Sequence, residues 1–385
     1  MNRKQFIILL VLVIVVGAAG WIIRQHNAGS WQGGGQTLGR KLLPDLAVND
    51  IAQIMVKSGT NEVNLVKRDN LWRVRERGDY PANFSQISDL LLKFADLKIV
   101  QSEEVEPSQL GRFELLPPGT GTNSAILVEF KDQSGRTLNS ILLGKRHMRP
   151  PAGNSAFGSM NEEGWPDGRY LMVGTGAKTL AVITDPLDNV QARPAQWLSK
   201  DFLSMEKPRS ISMQYPDATN SWKLTRVSET NDWQLADAKA DEKLDASRVS
   251  SVISPFHSIS FNDLELLGAS NSINNIMMTV ETFDGFTYLA RIGQKQTEDY
   301  PVSFTITANL ATERASAKDE KAEDKARLDK EFKQQQGKLA EKLSKERQFE
   351  NWIYYLPAYS VDEILKPRGQ LLAEVKTNSV SQPQK

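Results

Sequence analysis

A chain of 385 residues with 40% hydrophobic and 24% charged residues has ordinary globular composition and room for two domains. Its 47 Lys and Arg balance 47 Asp and Glu, so no overall field draws it to nucleic acid, and none is expected as a partner. The lack of cysteine excludes disulfides, thiolate catalysis, iron–sulfur clusters and cysteine-based zinc sites; three histidines (His26, His147, His257) leave little for a metal centre or an acid–base pair.

From Phe6 to Ile23 the chain carries no charged or strongly polar side chain. That length just covers a thin hydrocarbon core, and Trp21 stands where an interfacial aromatic belongs. Arg3 and Lys4 before the run favour an N-terminus inside and a body outside by the positive-inside rule. The alternative is a cleavable signal peptide, with Gly17-Ala18-Ala19 as its small-residue cleavage site. Both readings export the body, so residues 1–26 are expected to be a cytoplasmic N-terminus and a single-pass anchor in the inner membrane. Residues 27–41 are Gly-rich and polar and read as a linker.

The body uses one series of elements twice. Alternating strands open each half, Ile51–Lys57 and Ile211–Tyr215. A hairpin arm with a tryptophan follows, Leu71–Val74 and Asp232–Leu235, in which Trp72 and Trp233 are expected to be core anchors. Next comes an amphipathic helix with one stripe: Ile87, Leu90, Leu91, Phe94 and Leu97 in the first half, Val249, Val252, Ile253, Phe256 and Ile259 in the second. Asn83 or Ser85, and Asp245 or Ser247, stand ahead as caps. Hairpins Ala125–Phe130 with Leu138–Gly144, and Ile276–Phe283 with Phe286–Gly293, each end in apolar residues plus glycine. Strand pairs Tyr170–Val173 with Leu180–Thr184, and Val302–Thr307 with Trp352–Leu356, precede short helices near Pro194–Leu203 and Ser360–Leu365. The expected fold is α+β: two tandem, duplicated antiparallel-sheet-plus-helix domains, residues 42–205 and 206–370, then a polar tail over 371–385.

Two stretches break the symmetry. Residues 312–349 replace a tight turn with a Pro-free run rich in Ala, Lys, Glu and Gln, expected to form one long charged helix or, broken at Gly337, a helical hairpin standing off the second domain. Leu328, Phe332, Leu339 and Leu343 make its narrow, coiled-coil-like apolar seam. In the first half, Lys145–Arg169 reads as a long Pro- and Gly-rich loop. It holds Lys145, Arg146, His147, Arg149 and Trp165, the candidate residues for an anionic ligand or an acidic partner. The same residues in a solvated surface loop would do nothing in particular.

Elsewhere the motifs are weak. Gly174–Thr179 lacks the glycine before lysine that a phosphate loop needs, and sits in a hairpin turn. Gly153–Gly158 is one residue too long for a nucleophile elbow. No cofactor, metal or catalytic residue is expected, and the chain is not expected to be an enzyme.

Leu43-Pro44-Asp45-Leu46, Asn49-Asp50-Ile51, Asn70-Leu71-Trp72-Arg73-Val74, Tyr80-Pro81-Ala82-Asn83, Leu142-Leu143-Gly144 and the strand led by Tyr170 resemble the domain of unknown function 4340 family. The resemblance implies an N-terminally anchored envelope protein associated with gliding-motility-type ABC-transporter auxiliary proteins. The expected role is therefore a non-enzymatic accessory or scaffold protein of an ABC-type envelope transport complex, with protein partners there. The alternative is an envelope protein that binds or hydrolyses a lipid or cell-wall glycan at a cleft between the two repeats.

Overall fold

The computed structural model describes residues 39–149, 165–174, 176–268, 276–315 and 320–374. The apolar run 6–23 and the Gly153–Gly158 motif lie outside them. Among the described residues no helix is long and apolar enough to cross a membrane. The chain is α+β, with two antiparallel sheets and few helices, and divides into two compact units after Leu198.

In the first unit the strands are β1 (Gln53–Ser58), β2 (Asn61–Arg68), β3 (Leu71–Val74), β4 (Tyr80–Pro81), β5 (Ile99–Glu104), β6 (Ile126–Lys131), β7 (Thr137–Arg149), β8 (Trp165–Val173) and β9 (Thr179–Ile183). The sheet order is β4-β3-β2-β1-β6-β7-β8-β9-β5. Asp69 and Asn70, both at positive φ, close the two-residue turn between β2 and β3. Register sets the core: Val74 faces Leu65, Leu65 faces Ile54 and Ile54 faces Phe130, one row of fully buried side chains across four strands. Helix α1 (Phe84–Asp96) buries Ile87, Leu90, Leu91 and Phe94, and the Phe94 ring meets Phe130 edge-on at 5.2 Å. Asn83 is the cap, its side chain accepting from Gln86 N–H at 3.2 Å.

Val105, Leu115, Ala125, Leu142, Met172 and Leu180 form a further cluster in this unit. There the Phe113 carbonyl comes so close to Gly144 that an added Cβ would lie 2.3 Å from it. In the second unit a Cβ on Gly293 would meet the Pro301 ring at 2.7 Å. The apolar-apolar-Gly sequence is thus a site of close approach in both units, although β7 continues past Gly144 to Arg149.

The second unit contains β10 (Pro208–Gln214), β11 (Trp222–Thr225), β12 (Gln234–Leu235), β13 (Asp263–Leu266), β14 (Ile276–Thr282), β15 (Phe286–Ile292), β16 (Asp299–Ala308) and β17 (Trp352–Pro357), ordered β12-β11-β10-β14-β15-β16-β17-β13. Leave out β4, and strand for strand this is the order of the first sheet. The registers also correspond: Leu235 faces Leu224, Leu224 faces Ile211 and Ile211 faces Val280. Trp72 and Trp233 each sit two residues before the strand member of these rows, so they occupy one position of the pattern. Their surroundings differ: Trp72 is buried, whereas Trp233 is half-buried with the Arg226 guanidinium 4.7 Å from its ring. Trp222 is the buried indole of this sheet, its Nε1–H donating to the Lys366 carbonyl at 2.8 Å. Helix α2 (Ala246–Ile253) is capped by Asp245, which accepts from Ser247 and Arg248 N–H.

Helix α3 (Ala322–Arg347) is continuous through Gly337, so the helical-hairpin form of the 312–349 insert does not occur. Nor does the helix stand clear of its unit. Leu339, Lys342, Leu343 and Glu346 share one face by helical spacing, with Leu339 and Glu346 buried. Glu346 accepts from the Tyr288 hydroxyl at 2.8 Å, and Lys342 lies 5.2 Å from the Phe286 ring and donates to the Ser204 carbonyl. Burial pushes the Glu346 carboxyl up, against the Tyr288 hydrogen bond. The N-terminal part of the helix, by contrast, is largely exposed. The coiled-coil seam of four apolar residues is therefore replaced by a mixed face on a sheet.

Four other expectations change. Residues 145–149 and 165–169 are strand, not loop. The helix near Pro194–Leu203 shrinks to a 3-10 turn over Pro194–Trp197, while α4 (Ala358–Ile364) forms near its expected place. Strands β5 and β13 are not among the expected strands; they are edge strands that pair antiparallel with β9 and β17 respectively. The linker and the tail also give up residues to the fold: Gly39 N–H donates to Ile99 O and Ala373 N–H to Lys243 O, and Leu371 is fully buried.

Arg368 fastens the chain near that buried leucine. Its guanidinium contacts both Asp237 oxygens at 2.9 Å and Glu242 Oε2 at 2.7 Å. The Arg368 hydrogen bond holds the Glu242 carboxyl down, from 4.5 to about 2. A carboxyl depressed by folding binds fewer protons folded than unfolded, so its stabilisation is complete above pH 4.5 and lost as pH falls toward 2. The stability difference between wild type and Arg368→Met, followed by urea unfolding, is expected to shrink across that interval. A difference that stays constant across it would remove Glu242 from the account.

Candidate functional site

Beyond Leu143, β7 has no pairing with β6, and beyond Arg169, β8 has none with β9. The two strands continue as a two-stranded arm, with Arg146 opposite Arg169, His147 opposite Gly168 and Arg149 opposite Trp165. The register shifts twice, between Leu143 and Arg146 and between His147 and Met148, and such bulges increase local twist. Among the described residues no second strand pairs with β8 at Pro166, where a proline is tolerated.

The five candidate residues all lie on this arm, but they do not form one basic patch. Lys145 is exposed at the first irregularity. His147 and Arg149 converge on Asp167: His147 Nδ1 lies 2.6 Å from Oδ1 and Arg149 Nε 3.5 Å from Oδ2. A carboxylate only accepts, so the Nδ1 proton must be present and donate. That bond, before any other influence, holds the Asp167 carboxyl below its usual range. The His147 ring also stands 5.5 Å edge-on to Tyr170. Trp165 is 71% exposed.

Arg146 belongs to a different grouping. Its Nε donates to Asp188 Oδ1 at 2.7 Å, and with Arg169, Asp188 and Arg193 it lines a cavity of about 320 Å³. Reading residues 145–169 as loop hid Arg169, because only strand register brings it opposite Arg146. Nothing in the spacing of Asp188 and Arg193 announced them.

A larger cavity, about 680 Å³, is lined by residues that include Asp50, Lys67, Asp69, Asp132 and Arg136. Asp132 is committed there to its own turn, accepting from Ser134 and Arg136. A third, about 560 Å³, is lined by Arg226, Trp233, Ser250, Ser254 and His257 in the second unit. Among the described residues no group of three or more His, Asp or Glu side chains is placed to hold a metal ion.

A family model for a domain of unknown function, DUF4340, matches residues 72–273, just over half of the chain. The chain belongs to this family. The DUF4340 match begins in β3 and ends just before β14, so it includes the whole arm and the residues lining the 320 Å³ cavity from Ile126 onward. No curated protein and no solved structure matches the chain.

Proposed function

We propose that this protein is a membrane-anchored, extracytoplasmic accessory or scaffold protein of an ABC-type envelope transport complex, acting by docking protein partners rather than by catalysis. The apolar run 6–23 behind Arg3 and Lys4 supports the anchor and its orientation. One observation supports docking above the others: the arm leaves the sheet with Trp165 71% exposed and Arg149 opposite it. Tryptophan and arginine are the residues that dominate binding energy at protein interfaces, and an exposed tryptophan buries a large area when covered. The arm is the docking element in this reading.

Two measurements test it. A reporter fused after Lys385 is expected to be active only outside the cytoplasm; cytoplasmic activity would sink the topology. A photo-crosslinking residue at position 165 is expected to capture a membrane protein in cells, and Trp165→Ala to remove that partner from detergent copurification without changing thermal stability. Copurification that survives Trp165→Ala unchanged would sink the arm as the docking element.

A further inference from the structure

Arg146 and Arg169 face each other across two paired strands, and Arg193 closes on the same cavity. Like charges directly opposite in a sheet destabilise it. Among the lining residues the one carboxylate is Asp188, bound to Arg146, so the lining carries two positive charges in excess; beyond the lining, the Glu114 carboxylate also acts on Arg169. We infer that this cavity is a binding site for a phosphate-type oxyanion.

The Arg169 guanidinium is held in place before any ligand arrives. Arg169 is half-buried; its Nε donates to Gly144 O at 2.8 Å and its Nη1 to Pro186 O at 3.0 Å and Leu187 O. These carbonyls orient the fork without neutralising it, and its Nη2 has no protein partner among the described residues. Arg193 is exposed and likewise has no partner among them. The wall carrying Asp188 and Arg193 is fixed by local bonds: Leu187 N–H to Asp185, Gln191 Nε2 to Asp188 O, and Trp197 Nε1 to Gln191 O. A preset cation costs an incoming anion little reorganisation.

Charge and shape select the ligand class. The free Arg193 fork matches the paired oxygens of phosphate, Arg169 Nη2 adds a further donor, and two excess positive charges match a dianion better than a single carboxylate. A cavity of about 320 Å³ admits the oxyanion together with a small attached group. The site differs from the docking surface at Trp165, so the inference stands apart from the proposed function.

Calorimetric titration of the full chain in detergent tests it, with inorganic phosphate and with glycerophosphoglycerol, a deacylated lipid headgroup, as probes. Wild type is expected to bind at least one of them. Arg193→Gln, which breaks no bond among the described residues, is expected to weaken binding about tenfold with an unchanged melting temperature. Arg149→Gln, on the arm but outside the cavity, is expected to bind as wild type does. Tighter binding of glycerophosphoglycerol assigns the site to a lipid headgroup, and tighter binding of phosphate to the free ion. No binding of either probe by wild type, or equal binding by wild type and Arg193→Gln, would overturn the inference and leave Arg169 as a staple between β7 and the residues after β9.

Discussion

Replacing residues 312–349 with a short Gly-Asn turn is expected to unfold the second unit while leaving the first intact. On sequence alone, a Gly-Asn turn replacing Ala311–Gln348 is expected to leave the body folded, because the flanking strands would still pair. The structure gives the opposite expectation, because the replaced stretch covers the sheet. Phe286 and Tyr288, both almost wholly buried, lose Lys342 and Glu346, and Phe349 leaves the ring cluster in which Phe202 lies 5.2 Å from it. Losing the burial of Leu339 and Phe349 alone costs about 3–6 kcal/mol, a large part of the roughly 5–15 kcal/mol that holds a domain together. Circular dichroism should show one melting transition for the wild type's second unit and none for the replacement. Point variants separate packing from chain connectivity. Leu339→Ala should cost about 2 kcal/mol or more, and Leu328→Ala, on the more exposed part of the helix, less than about 0.5 kcal/mol. An unaltered melt of the replacement would return α3 to the role of a free-standing arm.

Phe94→Ala is expected to destabilise the first unit by about 3–5 kcal/mol. The ring is fully buried, meets Phe130 edge-on, and is the last large member of the α1 stripe. Its removal leaves a cavity beneath the row from Val74 to Phe130 that rigid strands cannot close. Leu92→Ala, two residues away on the same helix but 56% exposed, should change stability by less than about 0.5 kcal/mol. Chemical unfolding of the two variants side by side decides the point; similar losses would mean that α1 does not pack through the face its periodicity assigns.

That face was legible in the sequence because periodicity and capping are local. Asn83 and Asp245 cap where a short polar residue precedes a stripe, whatever the remainder of the chain does. Strands β5 and β13 were not legible. Ile99–Glu104 does not alternate cleanly, and its partner β9 lies far along the chain, so nothing nearby marks it. The insert was legible as a helix but its buried face was not: Glu346 and Lys342 look like solvent residues until Tyr288 and Phe286 are placed beneath them.

The candidate site was legible in part. Lys145, Arg146, His147, Arg149 and Trp165 do fall on one two-stranded arm, yet Pro150, Pro151 and Pro166 disguised its two strands as a loop. Counting cations along the chain also missed their neutralisation. Asp167 takes His147 and Arg149, and Asp188, distant in sequence, takes Arg146. The excess positive charge sits instead around Arg169 and Arg193, a property of register and of the turn after β9 that no linear pattern displays.

The shared strand order has a consequence for synthesis on the ribosome. In each unit an edge strand, β5 or β13, must wait for the last strand of its own sheet, β9 or β17. For β13 the wait is lengthened by the whole of α3, which is translated between β16 and β17. Throughout that interval the second sheet exposes the β16 edge on which β17 will close, while β9 and β5 of the completed first unit are already paired with each other. Two sheets of one topology in one chain invite strands to pair with the wrong copy, a known failure of tandem repeats. Finishing the first unit before β17 emerges removes the competing acceptor, so the order of translation itself guards against the exchange.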